Sequence, residues 1–178
     1  MEALRYPKGY ENFIESLAAQ RRANLKPPPR LSLSEWAAEY AVLSAETSAQ
    51  TGKFEAFANQ NGIMDAFTDP TVDKISVMKS ARVGYTKILD NAIGYFMHQD
   101  PSSILMVQPR ESDAESYSKS EIAPMLRDTP VLAELTGDPK SKSSENTLLK
   151  KTLLNGSSLT LVGANSPGGF RRITVRMV

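Results

Sequence analysis

The sequence contains no cysteine and a single histidine, His98. Without cysteine the chain forms neither a disulfide nor a thiolate metal site, and this composition fits a reducing compartment. A lone imidazole also excludes a metal site built from several histidines. No run of about 18 apolar residues is present, so nothing in the sequence predicts a membrane span. The N-terminus has neither the apolar core nor the small-residue cleavage site of a signal peptide.

Charge of one sign is not in excess either. The 178 residues include 21 basic and 20 acidic ones, which gives a formal net charge of +1. A protein that binds DNA across its whole surface is usually more basic than this. Any contact with a polyanion therefore requires local clusters of basic residues. The length allows one compact domain with its own core, or part of a larger one.

The first thirty residues differ in character from the rest. Residues 10–22 predict a short amphipathic helix, and the three prolines of residues 27–29 predict a stiff extended linker. We therefore expect residues 1–30 to form an N-terminal helix and proline-rich linker, and residues 31–178 to form the N-terminal portion of the domain that follows. This segment leaves open a non-catalytic function as a DNA- or subunit-binding module, although such charges are usually only solvated. The basic residues that would carry it are Arg21, Arg22, Lys26 and Arg30.

Two helices are predicted next. Ser32 and Glu35 have the spacing of a capping box, which predicts a helix through Trp36 to about Leu43. A second helix is expected from Gln60 to Phe67.

From residue 72 onward, strands and helices alternate. This order predicts an α/β fold in which helices flank a parallel sheet. Asn155-Gly156 predicts a two-residue hairpin turn, because both residue types tolerate a positive φ. The sequence ends within an apolar strand, so we expect an incomplete domain. The predicted elements are the strand Asp73–Met78, the helix Thr86–His98, the strand Ser103–Gln108, the helix Glu111–Arg127, the hairpin strands Thr147–Leu154 and Ser157–Val162, and the strand Ile173–Val178.

The segment of residues 79–86 carries the sharpest chemical signal. A phosphate-binding loop reads G-x-x-x-x-G-K-[ST] between a strand and a helix, and here Gly84 and Thr86 hold its sixth and eighth positions. In such a loop, backbone N–H groups surround the phosphates, a lysine neutralises charge, and the hydroxyl binds magnesium. Tyr85 stands where the lysine is expected, so a nearby cation is needed. Lys79 is the first candidate, and Arg82 and Lys87 are further ones.

The sequence VMKSARVGYTK, which contains this segment, resembles the variant Walker A motif of the large terminase subunits of lambda-like tailed phages. In that variant, the loop lysine is moved to the first position of the loop. Many family members keep Gly-Lys-Thr, so Tyr85 departs from the broader pattern.

The resemblance covers roughly residues 31–178. Residues 33–37 resemble the family's S-x-x-E-W-A segment, and residues 60–65 resemble its Q-x-x-I-M-D segment, which leads into the adenine pocket. Further matches are VQP at 107–109 with DAE at 113–115, APMLRDTP at 123–130, and GANSP at 163–167 with GFR at 169–171.

The resemblance implies a P-loop NTPase-type fold that is truncated at the Walker B strand and that binds ATP with Mg²⁺. Lys79 and Arg171 are the implied catalytic residues, Arg171 as a sensor or finger near the γ-phosphate. Thr86 would bind the metal, and the Gln60 amide would contact adenine. The implied nucleotide-binding residues are Gln60, Lys79, Ser80, Ala81, Arg82, Val83, Gly84, Tyr85, Thr86 and Lys87.

The resemblance further implies that the parent protein is a DNA-packaging motor in the host cytoplasm, encoded by a phage or a prophage. It would hydrolyse ATP to move double-stranded phage DNA into a procapsid, and would cut the concatemer. Its expected partners are the small terminase subunit, the portal and further copies of itself, with no membrane. The Walker B Asp-Glu pair would follow Val178, so we expect the isolated fragment to be inactive. Another P-loop enzyme, such as a helicase or small-molecule kinase, is disfavoured by the motifs around Gly163 and Arg171.

Overall fold

The computed structural model describes residues 12–18, 30–46, 48, 51–137, 146–171 and 173–178. The chain divides into two units, Met1–Arg30 and Leu31–Val178. In the first unit, residues 12–18 form helix α1, within the range predicted to be helical. The linker prolines and the basic residues Arg21, Arg22 and Lys26 lie outside the described residues. The assignment of residues 1–30 as a helix and linker ahead of residues 31–178, and the alternative DNA- or subunit-binding function, therefore stay predictions.

The second unit alternates helices and strands. A π-helical turn, Ser118–Ile122, joins α5 to α6, so the single predicted helix is interrupted and ends at Asp128. The elements are α2 (Leu33–Tyr40), β1 (Val42–Leu43), β2 (Gly52–Lys53), α3 (Ala58–Ala66), α4 (Tyr85–His98), β3 (Ser103–Gln108), α5 (Glu111–Tyr117), α6 (Ala123–Asp128), α7 (Pro130–Ala133), β4 (Lys150–Thr152), β5 (Ser158–Gly163) and a 3₁₀ turn (Pro167–Phe170).

The main sheet has the strand order β3-β5-β4. β3 pairs in parallel with β5, and Ser103 lies opposite Ser158, whereas β4 pairs antiparallel with β5. On the free edge of β3, a single parallel bridge joins Ile104 to Met177. Of the predicted final strand Ile173–Val178, only this isolated bridge at Met177 forms, and residues 173–175 have no regular secondary structure. The α/β class and the parallel pairing are confirmed.

The predicted strand Asp73–Met78 is wrong. Residues 74–80 have no regular secondary structure, and no strand among the described residues pairs with them. A strand is stable only when a neighbour takes up its backbone hydrogen bonds. Met177 bridges β3 instead, and the Met78 side chain is fully exposed. The segment is an irregular connection to the loop that follows.

The hairpin at Asn155-Gly156 forms, but its turn differs from the predicted one. The Gly156 N–H donates to the Leu153 carbonyl, and the Leu153 N–H donates to the Ser157 carbonyl. Of the two turn residues, Gly156 alone has a positive φ, at 84°. This is a three-residue loop in which a left-handed glycine forms the bulge, the next most common hairpin after the two-residue types.

The core of this unit is built around the packing of α2 on α4. The predicted capping box forms: the Glu35 N–H donates to the Ser32 hydroxyl, and the Ser32 N–H donates to the Glu35 carboxylate. Trp36 is 1% exposed and lies against Gly94. If residue 94 had a Cβ atom, that atom would lie 2.7 Å from the indole ring of Trp36. In the last turn of α4, close to Gly94, the side chains of Asn155 and Ser157 both donate to the Met97 carbonyl, which satisfies a helix-terminal acceptor.

Candidate functional site

The loop of residues 79–84 turns sharply before it enters α4. Arg82 has a φ of 61°, and it is the one non-glycine residue with a positive φ in the described chain. Gly84, with a φ of 75°, is the N-cap residue of α4, and its backbone leads into a helix of 14 residues. Left-handed residues ahead of a helix N-terminus point successive N–H groups to one side, which favours an anion there.

The topology places this loop at the carboxyl edge of the sheet. The C-terminus of α4 lies beside the start of β5, because Asn155 and Ser157 bind the Met97 carbonyl. α4 returns directly to the start of β3, so its N-terminal turn lies toward the end where β3 and β5 finish. Ligands of open α/β sheets bind at this edge.

Lys79 is exposed and folds over the start of α4. Its ammonium lies 5.7 Å from the centre of the Tyr85 ring and 3.4 Å from the Ser80 carbonyl oxygen. The first residue of the loop is thereby brought next to the residue that stands in the usual lysine position. Thr86 is exposed on the first turn of α4, and Ser80, Ala81 and Arg82 are exposed along the loop.

Lys87 is engaged in a polar cluster below this turn. Its ammonium lies 3.0 Å from the Asp90 carboxylate and 2.6 Å from that of Glu121, which the π turn carries. Tyr117 donates a hydrogen bond to the second oxygen of Asp90. Phosphate binding by Lys87 stays a prediction, and it would require these ion pairs to break.

Burial and ion pairing have opposing effects on the pKa values of the cluster. Burial alone lowers the pKa of Lys87, but the bond to Glu121 and the charge of Asp90 outweigh it and raise the pKa overall. Burial also raises the pKa of Asp90, against the opposing bonds from Tyr117 and Lys87, and raises the pKa of Tyr117. The sequence pattern does not predict this cluster. The i,i+3 spacing of Lys87 and Asp90 is a signal for one pair, but nothing local indicates Glu121.

Gln60 lies under the loop. It is 3% exposed, its amide N–H donates to the Val83 carbonyl over 3.1 Å, and its carbonyl accepts from the Phe57 N–H over 3.0 Å. The structure therefore places the predicted adenine contact against the loop backbone. Its role with a nucleotide stays a prediction.

Arg171 belongs to a different loop at the same edge of the sheet. It is exposed and follows the 3₁₀ turn, and its backbone N–H donates to the Gly168 carbonyl. Gly169 lies against Val162, which folds this loop over the end of β5. Within the described chain, the Arg171 side chain makes no ion pair.

Gly163 fixes the junction between this loop and the start of α5. A Cβ on Gly163 would lie 2.3 Å from the Glu111 backbone nitrogen. The Ala164 N–H, one residue later, donates to the Gln108 carbonyl. The GANSP motif therefore requires glycine here because two backbones meet.

Two further arginines, Arg172 and Arg176, lie in the C-terminal segment. Arg176 is exposed and makes a two-pronged ion pair with Asp100 at the opposite end of the sheet. Arg172 lies outside the described residues. No cluster of three or more metal-binding side chains occurs in the described ranges, and none of their helices is long and apolar enough to cross a membrane.

The sheet and its helices form a mixed α/β fold, which is consistent with an ATPase domain. The family model for the ATPase domain of the phage terminase large subunit gpA matches residues 48–178. The chain therefore belongs to the phage terminase large-subunit family, and the resemblance drawn from its motifs is confirmed.

Two curated relatives bear the name terminase, large subunit. The protein of Escherichia phage lambda is 32% identical over 154 residues, and that of Enterobacteria phage P21 is 32% identical over 151 residues. These alignments cover 86% and 85% of the chain. The chain spans about a quarter (24%) of the length of each relative. No solved structure matches the chain.

Proposed function

We propose that this chain supplies the nucleotide-binding part of the ATPase motor of a terminase large subunit. The observation that carries the proposal is the loop of residues 79–84, whose left-handed backbone leads into α4 with the Lys79 ammonium beside Tyr85. The N-terminus of a helix attracts phosphate through its N–H groups and its dipole. The exposed lysine adds the cation that such a site needs.

The residues present fit a triphosphate with magnesium. Lys79 makes no ion pair with another described residue. Thr86 is exposed and presents a hydroxyl on the first turn of α4, directly after the loop. Bound Mg-ATP supplies the phosphoryl group that is transferred to water. The residues of this chain would hold the Mg-ATP. Lys79 would neutralise phosphate charge, Thr86 would offer an oxygen to the metal, and residues 80–85 would offer backbone N–H groups to the phosphates.

Arg171 is proposed as the sensor or finger. It is exposed, it has no ion-pair partner among the described residues, and its loop folds over the end of β5 at the edge where α4 begins. An arginine beside the γ-phosphate stabilises the charge that develops during transfer.

For the whole protein we propose ATP-driven translocation of double-stranded phage DNA into a procapsid, in the host cytoplasm. The proposal is supported by membership of the terminase large-subunit family. The small subunit, the portal and further copies of the large subunit are the proposed partners. Water activation by an Asp-Glu pair and DNA cutting by a nuclease domain would belong to the rest of the protein.

The test compares two threonines in the full-length protein. Thr86→Val keeps the shape of the side chain and removes its hydroxyl, and Thr51→Val makes the same change at an exposed site on another segment. We expect wild type to bind Mg-ATP in titration calorimetry, Thr86→Val to bind it at least about tenfold more weakly, and Thr51→Val to match wild type. Absence of saturable binding by wild type at millimolar Mg-ATP would contradict the proposal.

A further inference from the structure

Both ends of the Gln60 amide are used inside the protein. The carbonyl oxygen accepts from the Phe57 N–H, one turn back at the start of α3, and the NH₂ group donates to the Val83 carbonyl. The side chain is 3% exposed. The second N–H and the second lone pair of the amide remain, but a side chain that is 3% exposed has to move to reach an adenine edge, and buried polar groups that lose their partners are costly.

The contact also fits a constraint in the loop itself. Val83 lies between Arg82 and Gly84, which both have a positive φ. Its carbonyl therefore belongs to a peptide group within the sharp turn of the loop. A Cβ built on Gly84 would lie 2.6 Å from the Gln60 amide nitrogen. Glycine at position 84 therefore provides both the positive φ and the space that the amide occupies.

We infer that Gln60 is a positioning residue, which holds the loop of residues 79–84 in its left-handed form before any nucleotide binds. The inference rests on the proposed function for its consequence in nucleotide binding, but the hydrogen bond from Gln60 to Val83 does not depend on that proposal. Gln60 acts on the phosphates through the loop backbone, so its effect does not depend on the base.

The first test measures amide hydrogen exchange without nucleotide in the full-length protein. Gln60→Glu removes the donor to Val83, Gln60→Met removes it without adding charge, and Asn59→Asp is the matched control on the exposed face of α3. We expect exchange in residues 79–84 to accelerate about three- to tenfold in both Gln60 variants, while residues 88–97 of α4 and the Asn59→Asp protein stay unchanged. Unchanged loop exchange, or an equal increase throughout the chain, would overturn the inference.

The second test measures affinity for ATP, GTP and inorganic tripolyphosphate, each with magnesium. A positioning role predicts that the Gln60 variants lose affinity for all three by the same factor, about three- to tenfold. A loss confined to ATP would overturn the inference and make Gln60 a reader of adenine. If wild type binds none of the three, the proposed function fails, and the exchange measurement decides the role of Gln60 by itself.

Discussion

The indole N–H of Trp36 donates a hydrogen bond to Nδ1 of His98, with 3.0 Å between the two nitrogens. The bond joins α2 to the last residue of α4, and the Tyr40 ring packs edge-on against the same imidazole at 5.4 Å. Nδ1 accepts a hydrogen bond only when it carries no proton, so the neutral imidazole is the form that fits.

This contact predicts a pH dependence of stability. Burial lowers the pKa of His98 below its ordinary value of 6.5, and the charge of Glu134 opposes the shift only in part. Below pH 6.5 the unfolded chain takes up a proton that the folded chain resists. The free energy of unfolding therefore falls as the pH drops, by less than about 1.4 kcal/mol per pH unit.

Because His98 is the single histidine, His98→Gln should remove most of the slope between pH 7 and 5.5. Urea denaturation of wild type and variant at matched pH values measures the difference in their free energies of unfolding. The contributions of the carboxylates cancel in this difference, because both proteins contain them. Parallel profiles would exclude this role for His98.

Lys79→Ala should lower ATP turnover of the full-length protein about a hundredfold or more, since a well-placed cation at a phosphoryl-transfer site stabilises the transition state by several kcal/mol. Lys74→Ala is the matched control, because Lys74 is exposed on the segment that leads to the loop. Tyr85→Lys should partly restore turnover to the Lys79 variant. Equal, mild losses from the two alanine substitutions would remove Lys79 from the site.

Lys87→Met should act on stability more than Lys79→Ala does. The variant leaves Asp90, 3% exposed, and Glu121 beside each other without a cation, which we expect to cost about 1–3 kcal/mol. Chemical denaturation gives the value, and Lys119→Met, which breaks only an exposed 3.9 Å pair with Glu115, is the control. A stability equal to that of the control would show that the cluster contributes nothing.

Gly84→Ala and Gly62→Ala should change stability in opposite directions. Gly84 has a φ of 75° and the Gln60 amide beside it, so alanine there should destabilise by about 1–3 kcal/mol. Gly62 lies within α3 with open space around it, so alanine should stabilise by about 0.5–1 kcal/mol. Thermal unfolding of the two variants tests the pair, and a stable Gly84→Ala protein would refute the steric contact.

Gly163→Ala should be among the most damaging single substitutions in this unit. Its Cβ would meet the backbone of Glu111, which cannot move aside as a side chain does, so we expect a loss of about 3 kcal/mol or more. Gly168→Ala, in open space on the next loop, should be nearly neutral. Similar soluble yields and melting temperatures for the two variants would contradict the close approach of the backbones.

Much of the fold could be predicted from local patterns. The apolar run Ile104–Val107 gave β3 with its bounds, the Ser32–Glu35 spacing gave the start of α2, and the helical period gave α4 to within one residue. Each of these signals lies within a few residues of the feature that it specifies, which is why a pattern alone predicted it.

The strand predicted over 73–78 failed for the opposite reason. Its alternation of Ile75 and Val77 with polar residues is compatible with a strand, but a strand requires a partner, and pairing is not encoded locally. The hairpin turn was right in position, yet the choice between two and three loop residues depended on the register of β4 against β5.

By itself, the sequence determined where the loop of residues 79–84 lies, which helix follows it and which family the motifs indicate. The signals for these features, which are Gly84, the Thr86 hydroxyl and the apolar period of α4, each act over a few residues. Only the tertiary structure decided what surrounds those residues. It tied Lys87 to Glu121, 34 positions away, and Gln60 to Val83, 23 positions away. It also left Lys79 exposed beside Tyr85. A charge or an amide binds whichever partner the fold brings within about 3 Å, and no local pattern specifies that partner.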